Sequence, residues 1–275
     1  MKPIDFDGLF DEKLTEYMEQ NKGKYTEKQW ENLIPKLYKK FGDTVIGKLK
    51  RTPKQYYAEM SEDELVETLK AHLTEEVPVP EFLCSEIEKR NVTEGLKGLL
   101  LCGNEEAALY AANLLGGNVE AYNEYFSIVC DENANAEVRD VAIENLKENA
   151  DQAKERALQF YKDGKGREFM LEILSRVKKR DEEIFSLLCD AFQNEPEKLE
   201  IRAGYLAAYG DERALPILLK RIENREIGFV EFQELKYAIE ALGGEYDEPR
   251  DFSDDKDFVL IGEASEKEGF GGLKS

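Results

Sequence analysis

The chain has 275 residues, of which 41% are hydrophobic and 35% charged, with a formal net charge of −21. That is enough apolar material for a core inside a highly charged surface. The charge excludes general nucleic-acid binding, which needs clustered cations to neutralise phosphates, and favours solubility and a basic partner.

Alternating runs of strand formers are nearly absent, so the expected class is all-α. In chain order, Phe6–Gln20 reads as an amphipathic helix with Leu9, Phe10, Leu14, Tyr17 and Met18 inward, broken by Asn21-Lys22-Gly23-Lys24. Thr26 with Gln29 forms a capping box, and the helix behind it carries Trp30, Leu33, Ile34, Leu37 and Tyr38 to Phe41. Pro35 inside that helix predicts a kink or local break. Ser61 with Glu64 opens a further helix to about Thr74. Val77-Pro78-Val79-Pro80 then marks a hinge, because each proline pushes the residue before it out of helical geometry. Residues 1–77 are therefore expected to form an N-terminal helical module, and helix pairs follow over 78–245. From Tyr246 the composition shifts to Asp, Glu, Gly and Ser, so 246–275 is read as an irregular, mostly disordered tail. Its exception is Phe258-Val259-Leu260-Ile261, an extended apolar stretch that needs a groove or caps the last repeat.

The best-defined helices lie in residues 198–245. One runs from Leu199 to Tyr209 and stops at Gly210. Asp211 opens a second through Ile222, and a third runs from Phe232 to Leu242 before Gly243-Gly244. Gly210-Asp211-Glu212-Arg213-Ala214-Leu215-Pro216 and Ala238-Ile239-Glu240-Ala241-Leu242-Gly243 resemble a HEAT repeat of the short type found in phycobilisome-lyase-like proteins. Equivalents of Leu242 fall at Tyr209, Val177, Leu146 and Leu115, a spacing of roughly 31 to 33 residues. Val138-Arg139 and Ile201-Arg202 match the Val-Arg pair of HEAT second helices. Period and resemblance together imply an α-solenoid of stacked antiparallel helix pairs. The resemblance also implies a concave face of second helices, on which Tyr110, Arg139, Arg202 and Tyr237 are the expected partner-binding residues.

Other signals carry less. Gly42-Asp43-Thr44-Val45-Ile46-Gly47-Lys48 has the glycine and lysine spacing of a phosphate-binding loop. The segment before it reads as helix, though, and Leu49 stands where a hydroxyl should bind magnesium, so a helix end and a turn are expected. Lys36, Lys39, Lys40, Lys48, Lys50, Arg51 and Lys54 make a local basic stretch, read as a solvated face. Cys84, Cys102, Cys130 and Cys189 lack any Cys-x-x-Cys pair and His72 is the single histidine, so no metal site is expected. The cysteines read as reduced, small core residues of a cytoplasmic protein. Met1-Lys2-Pro3-Ile4-Asp5 starts no signal peptide, and no apolar run approaches a membrane span. No sequence feature marks a cofactor or a catalytic set. The expected function is a non-catalytic scaffold for a protein or peptide, with a lyase-like enzyme or enzyme accessory as the alternative.

Overall fold

A computed structural model describes residues 2–194 and 198–267, with residues 262–267 given by their backbone alone. Among the described residues the regular structure is helical, and the sole β-type pairing is an isolated bridge between Ile46 and Arg51. The helices are α1 (Phe6–Gln20), α2 (Glu27–Phe41), α3 (Pro53–Ala58), α4 (Glu62–Thr74), α5 (Glu81–Arg90), α6 (Thr93–Leu100), α7 (Glu105–Leu115) and α8 (Tyr122–Val129). They continue with α9 (Ala136–Glu148), α10 (Ala150–Lys162), α11 (Arg167–Leu174), α12 (Glu182–Asn194), α13 (Leu199–Tyr209), α14 (Leu215–Ile222), α15 (Phe229–Ala241) and α16 (Lys256–Lys267). The chain forms two compact units, Met1–Asn145 and Leu146–Ser275. The Val77-to-Pro80 turn lies within the first unit, where α5 packs on α3 and α4.

Helix starts follow local chemistry. Thr26 and Ser61 make the expected capping boxes, each hydroxyl accepting from the backbone N–H three residues on while that residue's side chain accepts from the cap N–H. Thr52 and Gln55 form a third box at α3, where Pro53 fits the first turn because its missing N–H has no partner there anyway. Of the kink or local break expected at Pro35, the break is absent: α2 runs through it as one helix. One lost backbone bond is tolerable in a helix so well capped and anchored at Phe41.

The period found in the sequence has a physical counterpart. Leu115, Leu146, Val177, Tyr209 and Leu242 are all buried, and each lies within three residues of the C-terminal end of α7, α9, α11, α13 or α15, every second helix. In the second unit α13 packs against α11, α12 and α15. Tyr209 departs from the leucine pattern for a reason. Its hydroxyl accepts from the Asp181 N–H at 2.7 Å and donates to the Asp181 carbonyl at 3.0 Å, tying the end of α13 to the start of α12. Arg180 lies over the Tyr209 ring and donates to the Tyr209 carbonyl at 2.8 Å, supplying the donors that a helix C-terminus lacks.

In the described part of the tail, residues 246–255 pack on the second unit and α16 follows. Arg250 donates to the carbonyls of Ile222 and Asn224 and lies over the Phe232 ring, closing the end of α14. Asp255 Oδ2 accepts from the Phe229 N–H at 3.1 Å, while its Oδ1 accepts from the N–H groups of Asp257 and Phe258. One aspartate thus caps both α15, whose own cap residue Gly228 has no side chain, and α16. The extended apolar stretch expected at residues 258–261 is instead the first part of α16. Phe258 packs edge-on against Phe229, yet all four apolar residues remain exposed. The low-propensity glycines Gly269, Gly271 and Gly272 lie outside the described residues.

Candidate functional site

The first unit contains an open groove of about 1190 Å³ walled by α1, α2, α3 and α5. Its floor is aromatic. Tyr38 stacks on Phe82 with ring centres 4.7 Å apart and planes at 10°, and Phe10 meets Tyr38 edge-on at 5.0 Å. These rings converge because α2 ends at Gly42, where a Cβ would come within 2.5 Å of Phe82 Cε1. Glycine there lets α5 press Phe82 against the end of α2. Ile34 and Tyr38 stay half-buried because they face the groove, whereas Phe41 at the end of the same helix is buried.

The α3–α5 wall is fixed by Arg90, which donates to the Met60 carbonyl at 2.6 Å and to the Ala58 carbonyl, and pairs with Glu86 at 2.6 Å. Burial works against the Glu86 charge, but hydrogen bonds from Lys89 and Arg90 overcome it and hold this carboxyl below its ordinary value. Among the other charges on the groove, Lys54 is paired with Asp43 at 2.7 Å and Lys89 with Glu86 at 3.0 Å. Asp7 accepts a hydrogen bond from the Tyr38 hydroxyl at 2.5 Å. Asp7, Asp11 and Glu81 make no ion pair among the described residues.

The titrating groups along the groove are tuned away from reactivity. Burial, reinforced by the Asp7 hydrogen bond, raises the Tyr38 phenol far above its usual range, and burial does the same for Tyr57. The Cys84 thiol is pushed up to about 11, again by burial, so it carries almost no thiolate at neutral pH and makes a poor nucleophile.

The four residues expected on a shared face are placed differently. Tyr110, on α7, is half-buried, and burial raises its phenol. Arg139 donates to the Asp131 and Ala134 carbonyls at 2.7 and 3.2 Å, bracing the turn that leads into its own helix. Arg202 is 6% exposed, donates to the Ala191 carbonyl and pairs with Glu168 at 2.8 Å. Its guanidinium is committed to holding α13 against α11 and α12. Tyr237 is 61% exposed. Tyr110 and Arg139 belong to the first unit, Arg202 and Tyr237 to the second.

The phosphate-loop spelling lies in a helix end and a tight turn. α2 precedes it, and the Lys50 N–H bonds the Ile46 carbonyl at 2.8 Å. Of the basic stretch, Arg51 pairs with Glu59, and Lys39 and Lys54 reach the groove rim. The groove itself escaped sequence reasoning because its walls come from helices on both sides of the Pro78–Pro80 turn. The available signal was an α2 face rich in large apolar residues beside an aromatic-acidic α1. Among the described residues no His, Cys, Asp or Glu group is arranged to hold a metal ion, and no helix is long and apolar enough to cross a membrane. No protein-family model, curated protein or solved structure matches the chain.

Proposed function

We propose that this chain is a non-catalytic interaction protein that seats a peptide segment of its partner in the groove of the first unit. The observation carrying this reading is the groove's size and lining. At about 1190 Å³ it exceeds the roughly 300–1,000 Å³ of most small-molecule pockets, and it is open to solvent. An aromatic floor with half-exposed apolar walls is the kind of surface that supplies anchoring energy in protein interfaces. The buried tyrosines and the Cys84 thiol, all shifted toward their neutral forms, supply hydrogen bonding and packing, not acid–base or nucleophilic chemistry.

Tyr237, with most of its ring exposed, is the second-helix position still open to a partner. The test is a selection of random displayed peptides on the whole chain, followed by binding to a Ser85→Trp variant. Ser85 is exposed and lines the groove, so an indole there fills it without touching the core. Selected peptides should lose binding to the variant. Peptides that bind both proteins equally would place the interaction elsewhere.

A further inference from the structure

The groove's charges are incomplete in one direction. Glu86 and Asp43 have cation partners, whereas Asp7, Asp11 and Glu81 have none among the described residues. Lys39 is the one groove ammonium without a carboxylate partner there. Three carboxylates therefore face one ammonium along an apolar floor.

Asp7 is the most constrained of them. It is half-buried, and the Tyr38 hydroxyl donates to its Oδ1, which leaves Oδ2 for another donor. A partly desolvated carboxylate without a cation is unfavourable, and a donor arriving with positive charge relieves it.

We propose that the groove selects its partner by a basic side chain, with an arginine or lysine of the bound segment held by Asp7, Asp11 and Glu81 beside the Tyr38–Phe82 stack. This rests on the groove being the docking site. The aromatic rings suit such a cation, since a guanidinium or ammonium is attracted to ring faces and its aliphatic stem covers apolar surface. The net charge of −21 steers basic segments toward the molecule and away from competing acidic ones. The exposed apolar residues 258–261 of a second copy are a poor occupant, because Asp254 and Asp257 beside them bring carboxylates to carboxylates.

The experiment uses the full chain and an array of randomised nonapeptides, each made twice, once with arginine and lysine and once with citrulline and norleucine in their place. Binding should concentrate on peptides with a basic residue, fall about tenfold in the neutral twins, and fall comparably for the Asp7→Asn/Glu81→Gln variant. Peptides blocked by Ser85→Trp that bind equally with arginine or citrulline would overturn the cation inference and leave the groove reading standing. Binding indifferent to Ser85→Trp, or no binding at all, would overturn both. Should the double variant fail to fold, the citrulline comparison on the unaltered chain still decides.

Discussion

At the scale of single residues, the same sequence feature serves different physical ends. Val138-Arg139 and Ile201-Arg202 occupy matching places in the period, but Arg139 braces its own turn while Arg202 reaches Glu168. The sequence shows that an arginine recurs there. Its partner depends on which carbonyls and carboxylates the neighbouring helices present, which spacing does not encode. Arg202→Ala should destabilise the second unit by about 3 kcal/mol, because it strands the Glu168 carboxylate beside an emptied, largely buried position. Urea unfolding of the full chain measures this, and a change below about 0.5 kcal/mol would class the arginine with ordinary surface positions.

Two aspartates at helix starts make the same unit acid-sensitive. A hydrogen bond from Lys154, helped by the N–H groups of Ile184 and Glu183, holds the Asp181 carboxyl below the usual carboxylate range. The Arg213 guanidinium does the same for Asp211. Both carboxyls are stronger acids folded than unfolded, so their stabilisation is complete above the unfolded value of about pH 4 and is lost as pH falls through the lower folded values. Asp181→Asn should be less stable than the parent at neutral pH and lose less on acidification. Urea midpoints measured at about pH 7, 4 and 2.5 test this, and identical slopes for the two proteins below about pH 4 would count against it.

At the scale of elements, most helices were legible because their ends are written in short-range chemistry: Thr26 with Gln29, Ser61 with Glu64, and Gly210 at φ +71°. Pro35 does not end α2, because a helix interior can absorb one proline when its ends are secured. The tail misled. Its composition is that of a disordered segment, yet Arg250, Phe252 and Asp255 each find a site on α14 or α15 that only the folded unit creates. We read residues 246–261 as a cap on these contacts. Ending the chain after Glu245 should lower the unfolding midpoint of the second unit, and Arg250→Ala alone should cost about 2 kcal/mol by releasing the Ile222 and Asn224 carbonyls. Equal stability of the shortened and full chains, measured by urea titration, would show that residues 246–261 merely lie against the unit.

At the scale of the whole molecule, the all-α class and the alternate-helix period were readable from residue spacing, and the groove was not. Its parts are ordinary in sequence: a Phe and two Asp on α1, an apolar face on α2, Phe82 after a proline turn. They become a site only when α5 folds back on α3 and brings Phe82 onto Tyr38. The account's central claim is that a partner segment lies there, and hydrogen exchange of the full chain with and without a selected peptide tests it most directly. Occupancy should slow exchange in α2, α3 and α5 while α13 and α15 stay unchanged. Protection confined to α13 and α15, with α2 and α5 exchanging as in the free chain, would contradict it.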